Sequence, residues 1–325
     1  MVVRNFLVTG GAGFIGSHLV DALLAAGHSV VVLDDLSVGG EHNFAHNTSC
    51  PRFRFEQGSI LDVPLVDRLI SEVDAVYHLA AVVGVKYVVE DPLHGMKVNL
   101  RGTENILDAA LHYRRKVLVA SSSETFGKST QVPFKEEDDT VLGPTSVPRW
   151  SYAVSKLLDE HLAFAYYRQK QLPTVAVRYF NAYGPRLDPR GYGSVLAKFI
   201  TQALAGGPLT VYGDGNQTRS FTFVGDIVQG TIAAMDSPGG EGLAFNIGNP
   251  GEMTINDLAR HIRDLVDPGV QIVHIPYEKA YGVDFEDTRR RCPDVSRAAD
   301  LLGFRASVAL EDGLPQTISW FKRSP

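Results

Sequence analysis

The chain has 325 residues, 44% hydrophobic and 21% charged, an ordinary globular composition that suffices for a large core, so one large domain and a smaller lobe are expected. The formal net charge is −6 and no basic run occurs, which argues against nucleic acid as an electrostatically held partner. The two cysteines, Cys50 and Cys292, stand far apart in no metal-ligand spacing, so neither a disulfide framework nor a metal site is expected, and a reducing compartment is.

The opening MVVRNFLV runs straight into a glycine-rich turn without an apolar signal core, and nothing later spans about 18 apolar residues. A cytoplasmic protein without a membrane anchor is the expectation. Short β-branched runs predict strands at residues 6–9, 30–33, 53–57, 75–79, 116–121 and 174–178. Between them, amphipathic stretches predict helices at 17–26, 63–71, 98–112 and 153–170. Such βαβ repetition implies an α/β fold with a parallel sheet covered on both faces.

After Arg178 the composition shifts. NAYGPRLDPRGYG is a loop rich in Gly and Pro, residues 194–205 read as a helix, and LTVYGDGNQTRSFTFV reads as paired short strands around a Gly-Asp-Gly turn. FNIGNP, residues 245–250, reads as an edge strand returning to the main sheet, and two helical patterns follow residue 254. The expected division is a dinucleotide-binding domain at 1–178, with return segments near 224–250, and an interleaved smaller α/β lobe at 179–325.

FLVTGGAGFIGSHL joins a strand, a glycine turn and a helix start, with Gly11-x-Gly13-x-x-Gly16, and also Gly10-x-x-Gly13-x-x-Gly16, in the spacing of a Rossmann-type, doubly wound fold. Glycines there let the backbone approach a pyrophosphate, while the helix N-terminus offers N–H groups to it. Asp34 ends the next strand, where a carboxylate accepts from a ribose 2′-hydroxyl and repels a 2′-phosphate, so NAD is expected rather than NADP. Asp62 stands where a strand ends, suited either to an adenine edge or to capping a helix. Tyr152 and Lys156 lie four apart in a helical stretch and share a face. An ammonium near a phenol favours phenolate, giving an acid/base usable near neutral pH.

Taken in order, TGGAGFIG, HLAA, Asn99, SSSETFG, YAVSK, RYFNAYGP, LTVYGDGNQTRSFTFVGD and RRRCPD resemble the extended short-chain dehydrogenase/reductases that act as nucleotide-sugar epimerases, dehydratases and decarboxylases. The resemblance covers nearly the whole chain. It implies that Phe14, Ile15 and Ile60 line the cofactor, together with Leu79, Ala80, Ala81 and Asn99. It also implies that Ser122, with Ser123 beside it, hydrogen-bonds the sugar 4-hydroxyl, that Tyr152 takes its proton while C4 passes hydride to NAD, and that Lys156 binds the nicotinamide ribose.

Glu124 follows the serine pair, as in relatives that do further chemistry on a 4-keto sugar, while the approach GPTSVPRWSYAVSK looks more like that of bacterial UDP-hexose epimerases. Asn181 and Arg219 are expected at the diphosphate, Tyr212 at the uracil and Arg291 at the far phosphate, with Arg289 and Arg290 equally readable as a solvated face. Arg190, in a loop that relatives place over the sugar, is a candidate partner for a C6 carboxylate. The resulting expectation is an NAD-dependent UDP-sugar 4-epimerase acting on UDP-glucuronate or UDP-glucose. UDP-glucuronate decarboxylation stands second, 4,6-dehydration third, and a non-catalytic NAD-binding scaffold represents another class. A homodimer through the helices at 98–112 and 153–170 is expected, with no membrane or nucleic-acid partner.

Overall fold

The computed structural model describes residues 3–84, 90–190, 194–277, 279 and 288–323; part of the DPRGYG loop, residues 191–193, lies outside them. Six strands appear where the β-branched runs fall: β1 (Asn5–Thr9), β2 (Ser29–Asp34), β3 (Phe53–Gln57), β4 (Ala75–His78), β5 (Lys116–Ser122) and β6 (Thr174–Tyr179). Between them run α1 (Phe14–Ala25), α2 (Val63–Ser71), α3 (Pro92–Tyr113) and α4 (Trp150–Lys170). Helix α3 starts a turn and a half before the apolar periodicity does. Asp91 caps it by accepting from the His94 N–H at 3.0 Å, and Pro92 is preset for a first turn.

The second half contributes β7 (Ala182–Tyr183), α5 (Val195–Leu204), β8 (Leu209–Tyr212), β9 (Thr218–Arg219), β10 (Thr222–Phe223) and α6 (Val224–Asp236). After these come β11 (Ala244–Ile247), β12 (Met253–Thr254), α7 (Ile255–Val266), β13 (Ile272–Ile275), β14 (Arg290–Arg291), α8 (Ser296–Leu302) and α9 (Leu310–Arg323). The main sheet is parallel throughout, in the order β11-β6-β5-β4-β1-β2-β3. Chain order reverses direction between β1 and β4, and a crevice opens there above the strand C-termini.

Alternation along each strand sends side chains to two separate cores. Phe6, Val8, Tyr77, Leu118, Val175 and Phe245 pack beneath α1 and α6, while Leu7, Val76, Val117 and Val119 meet Val66, Ile106 and Ala163 of α2, α3 and α4. A third core, including Leu196, Phe199, Val211, Leu258 and Ile318, supports the second half of the chain. As the FNIGNP reading anticipates, β11 forms the sheet edge beyond β6. Its outward backbone is covered by side chains: Glu136 accepts from the Asn246 N–H at 2.8 Å, and Arg297 donates to the Ala244 carbonyl at 3.2 Å.

The expected pairing of strands around Gly-Asp-Gly does not form. Instead β8 pairs with β13, β9 lies between β12 and β14, and β10 pairs with β7. Gly213 and Gly215 both have φ near +72°, and Gln217 donates back to the Tyr212 carbonyl at 3.1 Å. The chain therefore turns between two small sheets rather than folding back on one strand.

One buried ion pair locks α4 to the strands that carry the site. Arg178, on β6, donates to Glu160 of α4 through Nε at 2.9 Å and Nη2 at 2.7 Å, and Ser121 of β5 donates to the same carboxylate. With the two side chains 9% and 4% exposed, removing one partner leaves the other charge stranded. Glu160→Ala is expected to cost about 3–5 kcal/mol, read as a lower urea midpoint with unchanged slope. A loss under about 1 kcal/mol would show that Arg178 does not depend on Glu160.

Candidate active site

A cavity of about 400 Å³ lies over the switch between β1 and β4. Its floor is the glycine turn, and the backbone packing explains why glycine is needed there. Gly10 has φ +72°, and a Cβ on it would stand 2.8 Å from the Ala80 nitrogen; a Cβ on Gly16 would stand 2.1 Å from the Gly10 carbonyl oxygen. Phe14 and Ile15 open α1 against this floor, so the unpaired N–H groups of the first turn face the cavity. At the far end of the wall, Asp34 accepts from the Ala12 and Leu36 N–H groups, each at 2.9 Å. Burial pushes its carboxyl pKa up against those two hydrogen bonds.

Gly13, Ile60, Leu79, Ala80 and Ala81 also face this cavity, as do Asn181, Tyr152 and Lys156 at its other end. The glycine cradle with its helix N-terminus, the Asp34 carboxylate and the Tyr/Lys pair are thus brought to one crevice from three separated segments. The donor set fits the dinucleotide NAD.

Four expected contacts are elsewhere. Asp62 caps α2 by accepting from the Leu65 N–H at 3.2 Å, as its capping reading expects. Asn99 is buried behind the wall, where it holds Val82 N–H at 2.8 Å and donates to Ser155 at 3.0 Å, so it positions the loop rather than lining the cavity. Tyr212 lies under the Lys198 ammonium, 3.3 Å from the ring centroid, and is not on the cavity wall. Arg190 is exposed and donates to Asp188, two residues away, at 2.9 Å.

At the end of β5, Ser122 hydrogen-bonds the Tyr152 phenol and accepts from the Glu124 N–H at 3.2 Å, while Ser123 is buried beside it. Burial pushes the Tyr152 phenol above its ordinary value, opposed by the Ser122 hydrogen bond and reinforced by the charges of Glu124 and Asp159. The expected lowering by Lys156 is not what this geometry gives. The Lys156 ammonium pairs with Asp159 at 3.1 Å, and both side chains are buried. Behind them Thr103 bonds Asp159 and also meets His78 Nε2 at 3.1 Å.

Glu124 gathers the positive charge. Arg291 donates to its Oε1 at 2.7 Å, and Arg149 approaches its Oε2 at 3.6 Å. Burial would raise the Glu124 pKa, but Arg291, Arg149 and Arg219 outweigh it and bring it to about 2. Arg219 itself donates to the carbonyls of Thr218 and Thr288, both at 2.8 Å. The basic triplet separates as the motif suggests: Arg289 pairs with Asp214 and Arg290 with Glu252 at the surface, while Arg291 is buried. Arg149 was not singled out by sequence reasoning. Its place three residues before Tyr152, one helical turn away, is the signal that marks it.

Two outcomes follow. Gly16→Ala is expected to abolish NAD binding, measured by fluorescence titration, since the added methyl drives into the turn; unchanged affinity would mean the turn relaxes without cost. Because the Glu124 pKa is lowered on folding, its stabilisation is complete above the unfolded value near 4.5 and fades as pH falls towards about 2. The stability gap between the protein and Glu124→Gln should therefore stay constant from about pH 8 to about pH 5 and shrink below that. A gap already closing at neutral pH would contradict the three-arginine field.

Comparison with known proteins agrees with this arrangement. Residues 6–248 match the model of the NAD dependent epimerase/dehydratase family. The chain is 44% identical over 319 residues, 98% of each protein, to UDP-N-acetyl-alpha-D-glucosaminuronate decarboxylase of Bacillus cytotoxicus. It is 38% identical to UDP-glucuronic acid decarboxylase 4 of Arabidopsis thaliana, across 99% of this chain and 69% of that one. Among solved structures, UDP-glucuronic acid 4-epimerase from Bacillus cereus, in complex with UDP-glucuronic acid and NAD, superposes with a TM-score of 0.88 at 30% identity, across 98% of this chain and 99% of that one. The glycine cradle, the Tyr/Lys pair and these likenesses lead to one conclusion: the chain belongs to the NAD dependent epimerase/dehydratase family and uses NAD as its cofactor.

Proposed function

We propose that this enzyme oxidises C4 of a UDP-hexuronate and removes its C6 carboxyl group as CO2, yielding a UDP-sugar one carbon shorter. The observation that carries the proposal is the charge around Glu124, where three guanidinium groups converge on one carboxylate beside Ser122 and Tyr152. Such an excess suits an acidic sugar on a diphosphate. The decarboxylase names of the 44% and 38% identical relatives support it, and favour it over the 4-epimerase expected from sequence.

In this mechanism Ser122 Oγ and Tyr152 Oη hold the C4 oxygen, and Tyr152 takes the hydroxyl proton. NAD, when bound, supplies the two-electron acceptor that receives hydride from C4 and later returns it. The resulting ketone lies β to the carboxylate, so breaking C5–C6 sends the electron pair to the C4 oxygen, where the two hydroxyls stabilise it. A solvent proton then replaces CO2 at C5, and Tyr152 returns its proton to O4 as the ketone is reduced. Ionised and held by arginines, Glu124 is suited to fixing those guanidiniums rather than to shuttling protons. Lys156, backed by Asp159, holds the nicotinamide ribose, and Asn181 and Arg219 the diphosphate.

A second reading, 4-epimerisation, draws on the likeness to the B. cereus epimerase. It would use the same oxidation, with the ketone turning over before reduction. We further propose a cytoplasmic homodimer. No helix among the described residues is long and apolar enough to cross a membrane. Helices α3 and α4 pack on each other and leave Leu93, Met96 and Leu158 exposed, a surface that a second copy would cover.

Incubation with UDP-glucuronate or its 2-acetamido analogue, followed by proton NMR and mass spectrometry, should give a UDP-pentose-type product lighter by CO2. A product of unchanged mass with galacto configuration would establish the epimerase instead, and a loss of water the dehydratase. Tyr152→Phe should abolish turnover while leaving NAD bound, and no turnover of any nucleotide sugar by the unaltered protein would revive the scaffold class.

A further inference from the structure

We propose that Asp21 is a positioning residue for the cofactor: its carboxylate ties together two loops that line the NAD crevice, and so sets how fast bound cofactor leaves. The first loop follows β2 and brings Asp35, Ser37, Val38 and Gly39 to the cavity. The second follows β7 and brings Leu187 and Asp188 to it. Asp21 lies on α1 about two turns beyond Phe14, off the cavity wall itself.

Each oxygen of the carboxylate serves one loop. Oδ1 accepts from His46 Nε2 at 2.8 Å and from Asn47 Nδ2 at 2.6 Å, at the end of the first loop. Oδ2 accepts from the Arg186 guanidinium at 2.7 Å, directly before Leu187 in the second. Burial would raise the Asp21 pKa, but the hydrogen bonds from Asn47, Arg186 and His46 outweigh it and hold the carboxyl below its ordinary value. Each loop has a further anchor. Asn43 donates to the Ala12 carbonyl of the glycine turn at 2.8 Å, and His18, one helical turn before Asp21, donates through Nε2 to the Pro185 carbonyl at 2.9 Å. The second loop needs holding, because Arg186 has φ +66°, a left-handed conformation that a residue with a Cβ keeps only where its surroundings impose it. A charge-assisted contact from a helix to a strained loop beside the crevice raises the barrier to local opening there.

The test loads the full chain with NADH and chases it with excess NAD, the decay of bound-NADH fluorescence giving the dissociation rate. Because the chase reads the cofactor alone, its result does not depend on the sugar the enzyme takes. Asp21→Asn, an isostere that cannot accept on both oxygens, should speed dissociation at least about fivefold, and Arg186→Gln, which frees the second loop alone, should also speed it. Arg186→Lys keeps a cationic donor for Oδ2 and should show a smaller rise than Arg186→Gln. Asp236→Asn, which breaks an exposed ion pair with Arg4 outside both loops, should leave the rate within about twofold. An unchanged rate in Asp21→Asn, or an equal rise in Asp236→Asn, would overturn the assignment. Should Asp21→Asn fail to fold, an unchanged rate in Arg186→Gln would overturn it instead.

Discussion

The Glu160 carboxylate is the constraint on which the site's geometry depends. From the second turn after Lys156 it reaches β5 through Ser121 and β6 through Arg178, so the helix carrying Tyr152 cannot slide along the sheet without breaking a buried charge pair. Buried pairs add little net stability over a well-packed apolar contact, but they penalise wrong arrangements heavily. Here the penalty fixes the distance between the strand end bearing Ser122 and the helix face bearing Tyr152. The two hydroxyls proposed to hold the C4 oxygen would tolerate little misplacement.

Charge is distributed unevenly along the crevice. Its β2 end carries the carboxylate of Asp34, the middle is backbone N–H and apolar wall, and the far end carries Lys156, paired with the buried Asp159. Burial holds the Tyr152 phenol in its neutral form in the protein alone, while Ser122 is the local group that eases its ionisation. The residue proposed as the acid/base is thus a neutral phenol, with Ser122 as its hydrogen-bond partner.

Much of this was legible in the sequence because it is local. Strand runs, the glycine turn, Asp34 and the Tyr-x-x-x-Lys spacing each report a short-range requirement of the backbone or a helix face. What is not legible is mostly long-range. Tyr212 is read by motif position, and its surroundings are set by Lys198 on another element, whose proximity no spacing rule encodes. The turn at Gly213 and Gly215 looked like a hairpin because both flanks have strand composition, yet their partners are drawn from β13, β12 and β14 far downstream. Lys156 is expected from sequence to tune Tyr152 and to bind the nicotinamide ribose; Asp159, three residues on in the same helix, also takes its ammonium.

The covered edge at β11 has a consequence for how the protein meets its neighbours. An open parallel sheet ends in a row of unpaired backbone groups, a template onto which another chain can add a strand. In this chain the outward N–H of Asn246 is held by Glu136 and the outward carbonyl of Ala244 by Arg297, so an incoming strand would first have to displace two charged side chains. Lateral growth of the sheet, the usual route from a partly opened α/β protein to an aggregate, is blocked at this edge by charge rather than by bulk.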